Sequence, residues 1–216
     1  MELKDLAIYG AGGLGREVAC VVERINRKTP TWNFLGFFDD GHPCGTDVSH
    51  FGKILGGIAE LNAWPRPLDV ALCFGSPRAL RAVSQKITNP LVEFHNIIVP
   101  TFWVSDPQTL RMGHGNIIAG DTIVTTDITI GNFNVFNGSV ILGHDVVVGD
   151  CNVIMHAVHI SGNVKIGDCN LFGTNSFVKQ SVKIGNDVTL SPLSALLTKP
   201  KDGNTYIGNP AKIFKF

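Results

Sequence analysis

Two stretches of this 216-residue chain bring together groups that could do chemistry. The first is the run Gly10-Ala11-Gly12-Gly13-Leu14-Gly15, which has the spacing GxGxxG. Between a strand and a helix, such a run presents backbone N–H groups at the helix N-terminus, where they hold phosphate oxygens. The apolar residues 6–9 ahead of it and the helical spacing of residues 16–23 behind it supply that setting. A second strand at residues 34–38 ends in Asp39-Asp40, and a carboxylate there suits a ribose or base edge. The same glycines also serve a tight turn with close helix packing, so the motif alone leaves both uses open. The second stretch is His144-Asp145, an imidazole whose neighbouring carboxylate can orient the ring and stabilise its protonated form.

What must position His144 is a repeat. Stepping by six from Met112 meets Ile118, Val124, Ile130, Phe136, Leu142, Val148, Ile154, Ile160, Ile166, Phe172, Val178, Ile184, Leu190 and Leu196, all apolar. Four places after each comes a small or uncharged residue, from Asn116 and Thr122 to Val188 and Ser194. A period of six fits neither a helix at 3.6 nor a continuous strand at 2. It fits short strands joined by turns, the hexapeptide β-helix. A second period of 18 relates Gly113, Gly131, Gly149, Gly167 and Gly185, and also Asn116, Asn134, Asn152 and Asn170. Three hexapeptides therefore make one coil. The asparagines predict an amide ladder along the inside, and the glycines predict coil corners with positive φ. His144, two places after Leu142, should leave the coil near a corner, with the small residues Thr126 and Gly162 stacked on either side.

Residues 1–95 read as a small Rossmann-like βαβ domain, with a further strand at residues 70–74 and a helix at residues 78–87. About 95 residues is half of a full dinucleotide domain, which favours a mononucleotide or nucleotide-sugar site over NAD. The expected order is this domain, a connector at 96–111, a β-helix at 112–198 with a little under five coils, and a tail at 199–216. The tail either caps the helix or offers its lysines to a ligand's phosphates. Eighteen basic residues balance eighteen acidic ones, so neither nucleic acid nor an anionic membrane is an expected partner. The first residues lack a signal-peptide pattern, and the location expected is cytoplasmic. Five cysteines without a CxxC pair argue against a disulfide framework or zinc knuckle.

The combination of Tyr9-Gly10-Ala11-Gly12-Gly13, Arg16-Glu17-Val18-Ala19, Gly36-Phe37-Phe38-Asp39-Asp40, the hexapeptide helix and a terminal Ile207-Gly208-Asn209-Pro210-Ala211-Lys212 resembles the sialic acid O-acetyltransferase and UDP-4-amino-sugar N-acetyltransferase family. The resemblance spans the whole chain. It implies a left-handed parallel β-helix, a homotrimer with active sites between subunits, and transfer of an acetyl group from acetyl-CoA to an amino or hydroxyl group of a sugar or sugar nucleotide. It implies His144 as general base with Asp145 beside it, and acceptor contacts near Gly12, Gly13, Leu14, Asp39 and Asp40. It also implies acetyl-CoA contacts near Gly162, Thr174 and Pro192, with no metal. Leu14 stands where the family's turn carries a histidine, and Val153 stands in place of a second one, so the acceptor is left open.

Two other readings follow from the same residues. One is a non-catalytic sugar-nucleotide-binding trimer, motivated by Leu14 and Val153. The other is a nicotinamide-binding domain fused to a structural helix. A zinc-dependent carbonic anhydrase of the β-helix type would need a histidine pair spaced by five, and the closest pair, His156 and His159, is spaced by three.

Overall fold

The computed structural model describes residues 3–215. The N-terminal region is a five-stranded parallel sheet. It comprises β1 (Lys4–Tyr9), α1 (Gly13–Lys28), β2 (Trp32–Phe38), β3 (Ile54–Gly56), α2 (Ile58–Asn62), β4 (Leu68–Leu72), α3 (Pro77–Lys86) and β5 (Val92–Glu93). The sheet order is β3-β2-β1-β4-β5, so the order in which strands are added switches sides between β1 and β4. Ligands of open parallel sheets bind outside the carboxyl ends of the strands at such a switch point. The glycine run follows β1 and the turn Phe74-Gly75-Ser76 follows β4, one on each side of that crevice. Helix α3 starts one residue earlier than the sequence suggests. Ser76 caps it through its hydroxyl, and Pro77 fills the first helical position, where no N–H is needed.

From Ile97 to Leu196 the chain forms seventeen strands of two residues each, arranged as three parallel sheets. Three strands complete a coil, giving a little under six coils. The expected connector at 96–111 is therefore corrected: its strands Ile97–Ile98, Trp103–Val104 and Arg111–Met112 pair in register with the next coil and form the first turn of the β-helix. The six-residue spacing hides this coil because Val104-Ser105-Asp106-Pro107-Gln108 stretches it out of period. Both inward sets predicted from the period are inside. The positions from Ile118 to Leu196 are at most 5% exposed, and those from Asn116 to Ser194 at most 6%.

The asparagine ladder forms as expected. The Asn134, Asn152 and Asn170 amides each donate to the Oδ1 of the asparagine one coil earlier, at 3.1, 3.0 and 2.9 Å, and to a glycine carbonyl beyond. Asn96 heads the column by accepting from Asn116, and the Val188 N–H ends it on Asn170. The stacked glycines have a different cause from the one expected. Gly131, Gly149 and Gly167 do not have positive φ. A Cβ there would lie within 2.7 Å of the carbonyl oxygen of the glycine one coil on. Left-handed backbone falls instead on non-glycine residues every six positions, Asp127, Phe133, Ser139, Asp145 and onward to Leu193, with φ of 53 to 63°. A bond between coils compensates for this disfavoured conformation. Asp145 N–H, for example, donates to Thr126 O at 3.0 Å and Asn163 N–H to His144 O at 2.7 Å.

The three faces of the prism differ. One carries Ile117, Val135 and Val153 outward and is buried beneath the N-terminal domain. One presents Arg111, Lys165 and Lys183. The third presents Trp103, Ile123 and Phe177, which are 55, 38 and 39% exposed. Residues 199–215 close the last coil: Thr205–Ile207 adds in parallel to Thr189–Leu190, and Lys212–Phe214 folds back antiparallel onto it. The cap, one of the two uses left open for the tail, is thus formed. No helix among the described residues is long and apolar enough to cross a membrane.

Candidate active site

The glycine run has the geometry of a phosphate turn. Gly10 has φ of 108° and packs against the Cys73 carbonyl. Gly15 is required because a Cβ would collide with the Gly10 carbonyl oxygen. Gly12 and Gly13 face open space. Helix α1 begins with no side-chain cap and no acidic residue in its first turn, which leaves its amides available to an anion. Leu14 is partly buried against the core, so it adds no polar group to the turn.

Asp39 and Asp40 are wired separately. Asp39 accepts from Ala11 N–H at 2.8 Å and Gly41 N–H at 2.8 Å, with His42 Nδ1 at 3.1 Å. Burial alone would raise its carboxyl pKa, but these hydrogen bonds outweigh it and the value falls below the usual one. Asp39 thus braces the glycine turn. Asp40 accepts from the Tyr9 hydroxyl at 2.6 Å and from Ile58 N–H at 2.9 Å, tying β1 to the start of α2. Burial, then the Asp40 carboxylate, pushes the Tyr9 phenol far above its ordinary value, so it remains a donor. Tyr9 belongs to this crevice although the sequence reading gave it no site role, and Phe74 tilts against its ring.

His144 stands on the corner between the apolar face and the charged one. Its Nδ1 lies 2.7 Å from Asp145 Oδ2, and both side chains are more than half exposed in the single chain. Asp145's left-handed backbone turns its carboxylate back to the ring. The ring lies over Gly162, where a Cβ would stand 2.5 Å from Nε2. Gly162, expected to touch acetyl-CoA, therefore also makes room for the imidazole. Nε2 makes no hydrogen bond among the described residues. With Nδ1–H held by the carboxylate, Nε2 is left with a free lone pair, which is what a general base requires. Two and three coils further along the same corner, Lys179, Lys183 and Lys199 line a cleft of about 400 Å³.

Thr174 and Pro192 lie together on a different corner. With Met155, Gly173 and Gly75 they line a cavity of about 270 Å³. Gly75 belongs to the turn after β4, so the crevice at the strand ends meets this cavity. The apolar face lies between this corner and that of His144. The structure thus brings together His144, Asp145 and Gly162; separately, Thr174 and Pro192; and separately, Gly12, Gly13 and Asp39. His156 stacks on Gly138 and His159 on Ile141, as the 18-residue spacing predicts. Cys151 is pushed up to about 11 by burial, then by Cys169, which marks a packing residue. Val153 is fully buried.

Residues 5–87 match the family model of the PglD N-terminal domain. No curated relative matches the sequence. The acetyltransferase domain of PglB from Neisseria gonorrhoeae FA1090, solved in complex with acetyl coenzyme A, is similar at 25% identity, covering 99% of this chain and 100% of that one with a TM-score of 0.87. PerB from Caulobacter crescentus, in complex with CoA and GDP-perosamine, shares the fold at 21% identity and TM-score 0.84, covering 99% of each chain. WeeI from Acinetobacter baumannii AYE shares it at 23% identity and TM-score 0.86, covering 98% of this chain and 100% of that one. With a PglD-type domain at residues 5–87 and a β-helix of hexapeptide coils behind it, the chain is similar along its whole length to an acetyltransferase that binds acetyl coenzyme A.

Proposed function

We propose that this chain is an acetyl-CoA-dependent acetyltransferase acting on an amino or hydroxyl group of a sugar nucleotide, with His144 as general base and Asp145 as its orienting partner. The observation that carries the reading is the His144 ring itself, held at Nδ1, free at Nε2 and lying over Gly162 on an open corner. The acceptor hydroxyl or amine loses its proton to Nε2 as it attacks the thioester carbonyl. A backbone N–H at a coil corner holds the oxyanion. The tetrahedral intermediate then expels CoA, whose thiolate takes the proton back from His144. Gly12, Gly13 and the amides of the first turn of α1 hold the acceptor's phosphates, and Asp39 keeps that turn in place. The PglB domain's binding of acetyl coenzyme A supports the same donor here.

One chain does not complete this site, because the crevice reaches the Thr174–Pro192 corner while His144 stands across the apolar face. Packing that face on further copies, as a cytoplasmic homotrimer, lays one copy's His144 corner beside the next copy's Thr174–Pro192 corner. Acetyl-CoA then occupies the groove between them, with Lys179, Lys183 and Lys199 supplying cations for its phosphates. Val153 is fully buried in the single chain, so the non-catalytic reading leans on Leu14.

The test is CoA release from acetyl-CoA by wild type and His144→Ala with UDP- and GDP-linked amino sugars, free sialic acid and simple amino sugars. Turnover with one acceptor that collapses in the variant is the expected result. Equal CoA release by both proteins would overturn the assignment of the base. Binding of sugar nucleotide without turnover on any acceptor would favour the non-catalytic trimer.

A further inference from the structure

At the amino end of the N-terminal sheet, away from the nucleotide crevice, three metal-ligating side chains meet where the sheet passes into the β-helix. Asp69 on β4 and Glu93 on β5 are directly opposite each other in the parallel register. Like charges facing across adjacent strands are destabilising, and burial aggravates this, since Asp69 is only 5% exposed. His95, two residues beyond Glu93, sits between them. Its Nδ1 contacts Asp69 Oδ1 and lies 3.6 Å from Glu93 Oε2, and all three ligand atoms fall within 4.8 Å of one another. Two openings flank the cluster, one of about 370 Å³ beside Asp69 and Glu93 and one of about 310 Å³ beside Glu93 and His95.

We propose that Asp69, Glu93 and His95 form a divalent transition-metal site at the domain junction, distinct from the acetyl-transfer site. One imidazole nitrogen and two carboxylates suit Zn²⁺, Co²⁺ or Mn²⁺, with ligand bonds of about 2.0–2.2 Å and water filling the remaining positions. The cation neutralises the facing carboxylates and needs only a small separation of His95 from Asp69. The residue after His95 is Asn96, which heads the amide ladder, so a metal here pins the top of the β-helix to the sheet. Lys4 is the competing group. Its ammonium lies 3.2 Å from His95 Nε2, which places the imidazole proton on Nδ1, toward Asp69. Metal binding displaces that proton, leaves the neutral ring with its hydrogen on Nε2, and sends the exposed Lys4 side chain away.

The test uses the full chain, stripped with chelator and then titrated with Co²⁺ and Zn²⁺. The expected results are one Co²⁺ per chain with a weak visible spectrum lacking thiolate charge transfer, and a rise in Tm of several degrees with Zn²⁺. Glu93→Gln removes one exposed ligand without disturbing buried structure and should weaken binding at least tenfold. Lys4→Met should tighten it, which a merely structural cluster would not do. A thiolate band would place the metal on the exposed Cys20 or Cys44 and overturn the proposal. So would binding unchanged in Glu93→Gln, or no saturable binding. CoA release is measured in parallel: loss of acetyl transfer in His144→Ala with metal binding intact keeps the two assignments separate.

Discussion

The two halves of this molecule position their functional groups by opposite means. In the β-helix, a residue's place in the 18-residue period decides its environment. The corner that turns Asp145 toward His144 has the same left-handed backbone and the same bond between coils as the corners at Cys151, Asn163 and Asp187. The scaffold is repetitive, and the proposed chemistry enters by substitution at one corner: a histidine, a following aspartate and a glycine one coil on. The N-terminal domain has no such repetition. Its crevice depends on individual bonds, Tyr9 to Asp40, Ala11 to Asp39, Ile58 to Asp40, each made once. The β-helix should therefore lose activity at single corners without losing stability, and lose stability at its inner ladder without losing activity per folded molecule. In the N-terminal domain a single change should do some of both.

His144→Ala gives the sharpest contrast. General-base catalysis contributes roughly 10²–10⁴-fold, so kcat should fall by that factor with little change in KM. Urea unfolding should stay within about 0.5 kcal/mol of wild type, as for an ordinary exposed residue. Asn152→Ala is the converse. It strips a partner from Asn134 Oδ1, from Asn170 N–H and amide, and from the Gly167 carbonyl. At about 1–3 kcal/mol for each buried group left unpaired, the loss should be about 3 kcal/mol or more by urea unfolding, with kcat of the folded fraction unchanged. Loss of kcat in Asn152→Ala with stability intact would break the comparison. Gly162→Ala should fall between them. A methyl group 2.5 Å from Nε2 must push the imidazole aside, and a displacement near 1 Å lowers kcat by roughly 10- to 100-fold.

Sequence periodicity made the β-helix legible because each inward position repeats one apolar or amide requirement every coil. The first coil escaped notice because Pro107 and its neighbours break the count while the strands on either side still pair. The corner glycines were legible as corners but not in cause. Close approach of stacked carbonyls and a positive φ both select glycine, and sequence does not separate them. At the His144 corner, the 18-residue stack placed Gly162 beside His144, and the dipeptide itself placed Asp145 within reach of the ring. Asp39 and Asp40 looked equivalent in sequence, yet the strand end aims one at the glycine turn and the other at Tyr9. That difference depends on which face each side chain takes as β2 ends, which the dipeptide does not encode. The two-corner split between His144 and Thr174 follows from the same arithmetic, since 30 is not a multiple of 18.

The smallest effect expected tests the N-terminal half. Asp39→Asn keeps the size of the side chain but removes the charge that makes its bonds to Ala11 and Gly41 strong. Because the folded carboxyl pKa lies below its ordinary value, the charged form stabilises the fold. That contribution is complete above the unfolded-state value and is lost as pH falls through the lower folded one. Near neutral pH the variant should be less stable by about 1 kcal/mol. In acid, where wild-type Asp39 is protonated as well, the two proteins should converge. The glycine turn it braces would loosen, so KM for the sugar nucleotide should rise severalfold while KM for acetyl-CoA stays constant. A stability difference that persists in acid would mean that Asp39 acts through shape alone. An effect on acetyl-CoA in place of the acceptor would mean that the glycine turn serves the donor, and the division of labour between the two halves would have to be reversed.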